Sequence, residues 1–239
     1  QKDAPLRGLL LDMRSNPGGL LVGAVQIADE LLDKGGIVST QGRELIGDSR
    51  FDATPGDRLK GAPVVVLVDA GSASASEVLA GAWRDNKRAR VVGSRTFGKG
   101  SVQTLLPLDN GDSVKLTTAR YYTPSGKSIQ AKGIVPDVMI DETAEGDLFA
   151  SLRMREADLE KHLTSGQGDE VKDAAREKAR EKARKRLEEE AKKPSADRKL
   201  PEFGSDKDFQ LAQALQQLKG QPVLVSKTLT ERKEEKKDD

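Results

Sequence analysis

The chain contains no cysteine, so disulfides, thiolate metal sites and cysteine nucleophiles are excluded, and the redox compartment is left open. There is a single histidine, His162, and any imidazole-based triad or poly-histidine metal site would depend on that one residue. Aromatic residues make up only 3% of the 239 positions, too few for a base-stacking platform. Excess charge of one sign is also missing: 40 Lys and Arg oppose 39 Asp and Glu, for a net charge of +1. That balance argues against a nucleic-acid surface. No apolar run approaches the roughly 20 residues of a membrane span, and no signal peptide opens the sequence.

What remains is patterned in two parts. Residues 1–145 alternate short apolar runs with glycine-rich turns, whereas residues 146–239 are densely charged and helical in pattern. Leu6–Asp12 reads as a buried strand, Ser15-Asn16-Pro17-Gly18-Gly19 as a turn, and Leu20–Lys34 as a helix stopped by Gly35-Gly36. The design repeats: Pro63–Asp69 is a β-branched strand, Gly71–Ser76 a turn, Glu77–Asn86 a helix and Arg90–Gly93 a further strand. Strand–helix–strand order with short connections implies an α/β fold with a mostly parallel sheet. Ser101–Leu108 and Ser113–Ala119 flank Asp109-Asn110-Gly111-Asp112, a hairpin signal. Further on, an alanine stripe at four-residue spacing predicts an exposed helix over Asp169–Lys193. Ser205–Lys219 is a better amphipathic helix, stopped by Gly220, and Glu231–Asp239 is a charged tail.

Open α/β sheets bind ligands at the carboxyl ends of their strands. Two turns lie there: Asn16-Pro17-Gly18-Gly19 and Gly71-Ser72-Ala73-Ser74-Ala75-Ser76-Glu77. A serine at a helix start is placed for nucleophilic attack, because backbone N–H groups there face developing negative charge. The same stretch, Ser74-Ala75-Ser76-Glu77, also fits a capping box, and on that motif alone a helix cap is the commoner explanation. A nucleophile also needs a base. His162 lies in a charged segment that reads as a solvated helix, which leaves lysine. An ordinary lysine is neutral in only about one molecule in 10³ near pH 7, so a lysine base must be held away from water. Lys99, between Gly98 and Gly100 and just before an apolar strand, is the lysine whose surroundings suit a cleft. Gln103 could orient its amine.

Leu11–Gly19, Gly71–Glu77 and Thr96–Gln103 together resemble the carboxyl-terminal processing (tail-specific) proteases. Tyr121–Gln130 and Lys132–Asp137 extend the likeness, which runs in order from about Leu6 to Val138. The resemblance implies a ClpP/crotonase-like core followed by a C-terminal helical region, and a Ser/Lys dyad peptidase working through an acyl-enzyme. On it, Ser74 matches the nucleophile, Lys99 the general base and Gln103 the residue that positions the lysine. The N–H groups of Ala75 and of Gly18 or Gly19 match the oxyanion hole, and Glu77 is a supporting residue. No metal or other cofactor is implied. Family members carry an export signal and a PDZ domain ahead of this region. Neither stands before Gln1, so the chain reads as the C-terminal portion of a longer precursor.

The resemblance further implies periplasmic action on proteins with accessible C-termini, homo-oligomerisation, and activation by a helical-repeat lipoprotein adaptor. The apolar side of Ser205–Lys219 and Pro222-Val223-Leu224-Val225 are candidates for self-association or, equally, for packing on their own domain. Two other functions compete: an inactive binding or oligomerisation module, and a thioesterase or hydratase on a crotonase-like scaffold.

Overall fold

The structure is a computed structural model that describes residues 6–42, 48–143, 154–168, 189, 192 and 203–225. Its centre is the β-branched run Val64–Val68, in which every residue is buried. As strand β4 it pairs in parallel with β1 (Leu9–Asp12) on one side and β5 (Arg90–Gly93) on the other. A short β8 (Val138–Met139) extends the sheet beyond β5. Alternation along β4 divides two cores. Val64, Val66 and Val68 face helices α1 (Leu21–Asp29) and α2 (Ala75–Asp85), while Val65 and Leu67 face α3 (Phe209–Leu218). A strand covered on both sides has no use for polar alternation, which is why this run is continuously apolar.

A second sheet is antiparallel, in the order β3 (Ser49–Asp52), β2 (Gly36–Gly42), β7 (Ser113–Tyr122), β6 (Ser101–Pro107). β2 packs against α2, with Ile37 and Val38 in the main core. The β6–β7 hairpin projects from this sheet and leaves Leu105, Leu106, Leu108, Val114 and Leu116 exposed, Leu105 to 67%. β6 has no further strand beside it among the described residues.

The α/β class with a parallel sheet and a hairpin agrees with the sequence reading, but several boundaries move. Helix α1 ends at Asp29, not Lys34, because the Leu31 and Leu32 N–H groups turn back to the Ala28 and Asp29 carbonyls in tight three-residue steps. The Asp29 carboxylate meanwhile accepts from the Thr54 N–H and hydroxyl. Helix α2 begins at Ala75, two residues before the expected start, which puts Ser74 at the N-cap. The strands β2, β3 and β8 were not foreseen. His162 is not on a helix: the only helical piece described near it is a single 3₁₀ turn, Glu156–Asp158, and its Nδ1 donates to the Leu159 carbonyl at 2.9 Å. The expected helix over Asp169–Lys193 (apart from Glu189 and Lys192) and the tail Glu231–Asp239 lie outside the described residues.

α3 starts at Phe209, four residues later than the expected Ser205, because Asp208 caps it with a carboxylate that accepts from the Leu211 N–H, and it ends at Leu218, within one residue of the expected Lys219. Its apolar side is occupied within the chain. Phe209, Leu211, Ala214 and Leu218 pack with Leu10, Val65, Leu67 and Val92, and Val223 joins them, while Leu224 and Val225 stay exposed. No helix among the described residues is long and apolar enough to cross a membrane.

Candidate active site

The two turns singled out in the sequence meet at the carboxyl ends of β1 and β4. Asp69, which closes β4 and is buried, fastens them together. Its Oδ1 accepts the N–H groups of Ser15, Gly71 and Ser72. The Ser72 hydroxyl donates to the Met13 carbonyl at 2.7 Å, and the Ala73 N–H donates to the Asn16 carbonyl at 2.9 Å. Gly18 then lies directly on the serine: a Cβ built there would stand 2.6 Å from the Ala73 oxygen and 2.9 Å from the Ser74 Cβ. With φ at +95° as well, only glycine fits.

Three serines occupy this elbow, and the structure separates them. Ser72 and Ser76 are buried, and the Ser72 hydroxyl is committed to the turn. Ser74 is partly exposed and holds φ 55°, ψ −118°, a conformation that costs a non-glycine residue on the order of 1–3 kcal/mol. Strand-to-helix turns with such a strained residue lift a side chain clear of the backbone, as a nucleophile requires. Behind it, Ala75 opens α2, so its N–H is one of the unpaired donors at a helix start. The Gly18 N–H is already bonded to Asn16 Oδ1 at 2.9 Å. Of the two candidate glycines, this leaves Gly19, exposed in the same turn, with the free donor.

Glu77 is the hub. It is fully buried and accepts four hydrogen bonds. Oε1 takes the Thr96 hydroxyl at 2.5 Å and the Gly98 N–H at 2.7 Å. Oε2 takes the Ser74 N–H at 2.8 Å and the Lys99 N–H at 2.9 Å. One carboxylate oxygen therefore joins the main chain of Ser74 to that of Lys99, and the two nitrogens are no further apart than the sum of those bonds. Burial pushes the Glu77 carboxyl up to about 7, against the pull of its four donors.

The Lys99 loop is fixed on every side. The Phe97 N–H donates to the Ser72 carbonyl, and the Ala131 N–H to the Gly98 carbonyl. Gly100 donates to Gln130 Oε1, and a Cβ on Gly100 would fall 2.1 Å from the Gln130 nitrogen. Gln130 is held in turn by Glu156 Oε1 and the Leu163 carbonyl. Lys99 itself is half-buried. Gln103 stands apart from this cluster, exposed on β6 just past the bulge that separates it from Val102.

Ser74, Ala75, Gly18, Gly19, Glu77 and the main chain of Lys99 are thus brought together. Sequence reasoning missed Asp69, Thr96, Asn16 and Gln130, which hold them. Asp69 carried one signal, a carboxylate closing an apolar strand. The others are ordinary polar residues in turns, whose bonds run to distant segments.

A family model, that of peptidase family S41, matches residues 1–140. The carboxy-terminal-processing protease of Bartonella bacilliformis is 53% identical over 137 residues, which make up 57% of this chain and 32% of that protein. The chloroplastic C-terminal processing peptidase of Tetradesmus obliquus is 45% identical over 157 residues, 63% of this chain and 32% of its own. Among solved structures, the photosystem II D1 C-terminal processing protease aligns with a TM-score of 0.52 at 45% identity, over 57% of this chain and 35% of that one. The chain spans about a third of the length of the curated relatives it matches. Both turns and the Lys99 loop fall inside the region matched by the family model, and the chain belongs to peptidase family S41.

Proposed function

We propose that the chain carries the reaction centre of a serine endopeptidase that cleaves exported proteins near their carboxyl ends through a Ser74/Lys99 dyad. The observation that carries this reading is the shared Glu77 Oε2, which binds the main chain of both residues and so brings a strained, accessible serine beside a lysine loop. The relatives named above are processing proteases of a bacterium and of a chloroplast, in keeping with an exported or lumenal setting.

In the mechanism, neutral Lys99 takes the Ser74 proton as the hydroxyl attacks the scissile carbonyl. The N–H groups of Ala75 and Gly19 receive the oxyanion, a contribution of about 3–4 kcal/mol for a well-placed donor. Protonated Lys99 returns the proton to the leaving amine, and water resolves the ester by the same steps in reverse. Glu77 does not touch the substrate. It fixes the separation of nucleophile and base.

The test is covalent labelling with a fluorophosphonate, together with turnover of an unstructured protein substrate. Labelling at Ser74 is expected, and it is lost in both Ser74→Ala and Lys99→Ala. Lys99→Arg also fails, since guanidinium does not release its proton at working pH. Undiminished labelling or turnover in Lys99→Ala would refute the lysine-base mechanism.

A further inference from the structure

We propose that the start of α3 is a positioning element for the oxyanion turn, acting through an ion pair between Asp208 and Arg14; the inference rests on the peptidase reading of Ser74. Arg14 follows β1 and lies four residues ahead of Gly18. Its side chain is 4% exposed, as is that of Asp208, although the two residues are 194 positions apart. The guanidinium forks onto Asp208, with Nη1 to Oδ1 at 2.9 Å and Nη2 to Oδ2 at 2.6 Å. It also donates to Asp12 from Nε and from Nη2, at 2.7 Å for the latter, and to Gln210 Oε1 at 3.3 Å. The Phe203 ring stacks 4.6 Å from its central carbon.

The α3 end is anchored just as firmly. Asp208 accepts the N–H groups of Gly204 and Leu211, and Gln210 Nε2 donates to the Ile140 carbonyl. Burial acts to lower the Arg14 pKa and to raise that of Asp208, yet the hydrogen bonds between them, and with Asp12 and the neighbouring N–H groups, reverse both trends. The pair is charged and satisfied, so removing one partner strands the other.

The path from clamp to site is short and made of backbone. Arg14 fixes the exit from β1. The next residue, Ser15, has φ 55° and hands its N–H to Asp69. Asn16 receives the Ala73 N–H and lends its side chain to the Gly18 N–H, and Gly18 lies against Ser74. Gly19 is therefore aimed by a turn whose root is gripped from α3.

Asp208→Asn separates this role from helix capping, because asparagine caps a helix about as well as aspartate. Two readouts are taken on the whole chain: the rate of fluorophosphonate labelling of Ser74, and residue-by-residue amide exchange. Labelling is expected to slow by about 10- to 100-fold, the range for a catalytic group displaced by a fraction of an ångström to about 1 Å. Exchange at Ser15, Gly18 and Ala73 is expected to accelerate while Val66 and Leu67 in β4 stay unchanged. Arg14→Lys is expected to give the same selective loss, since one ammonium cannot fork across two carboxylates. Unaltered labelling and exchange, or acceleration that includes β4 equally, overturns the inference. If neither the parent nor the variant is labelled, the peptidase reading falls, and the exchange pattern alone decides whether α3 holds the turn. Should Asp208→Asn not fold, Phe203→Leu takes its place, with faster exchange at the same three amides expected and none overturning the proposal.

Discussion

Replacing Glu77 with glutamine tests the electrostatic account of the hub. A carboxyl that titrates near 4.5 in the unfolded chain and at about 7 in the fold binds its proton more tightly in the native state. Stability from this group is thus fully present below pH 4.5 and is lost as pH rises through 7, by about 3 kcal/mol in all. Glutamine carries no such slope. With its oxygen toward Ser74 and Lys99 it keeps both of those bonds, and its amide can donate to the Thr96 hydroxyl oxygen. The Gly98 N–H and the Thr96 hydroxyl proton both lose their acceptor, at about 1–3 kcal/mol. Urea unfolding between pH 5 and 8 should therefore find Glu77→Gln less stable than the parent by about 1–3 kcal/mol at pH 5, with the gap closed or reversed at pH 8. Asp57, Asp85 and Asp208 have lowered pKa values, and their stabilisation is lost only as pH falls below 3.8, outside this window and common to both proteins. A gap that stays constant from pH 5 to 8 would refute the reasoning.

Ser74→Gly should abolish labelling yet raise the melting temperature by a few degrees, since glycine adopts φ 55°, ψ −118° without the roughly 1 kcal/mol or more that serine bears. Gly100→Ala drives a methyl into the Gln130 nitrogen and should cost about 3 kcal/mol in denaturant unfolding, with Ser74 labelling lost as the Lys99 loop is displaced. Thr96→Val removes the short bond to Glu77 and the acceptor of the Ile134 N–H, a loss of about 1–3 kcal/mol by the same measurement, with slower labelling.

The sequence disclosed those parts of the fold whose signals are local. Val64–Val68 could only be a buried strand, and Arg90–Gly93 was placed to the residue. β2 and β3 escaped because β2 is bounded by glycine and mixes polar with apolar residues, β3 is four residues rich in charge, and β2 is stabilised by a partner far along the chain, pairing to Ala119–Tyr122. The site divides in the same way. Gly18, Ser74 and Lys99 stand in motifs that read at sight. The bonds from Glu77 to Gly98 and Lys99 close a loop of more than 20 residues and leave no periodic trace. Glu77 looked like half of a helix cap, and it is one: it receives the Ser74 N–H, while its own N–H goes to the Ser74 carbonyl. What no local pattern conveys is that the same carboxylate reaches across to a second segment.

The β6–β7 ribbon bears on how the protein behaves in the test tube. Its leucines sit in water on a strand whose outer row of N–H and C=O groups has no described neighbour. Such an edge zips onto any extended chain offered to it, and two molecules meeting β6 to β6 would satisfy each other's rows. Pro107, Lys115 and the acidic tip at Asp109 and Asp112 are gatekeepers against that encounter, but the stretch between them is bare. Concentrated stocks will consequently clump before dilute ones do, and a lysine in place of Leu105 is the simplest remedy.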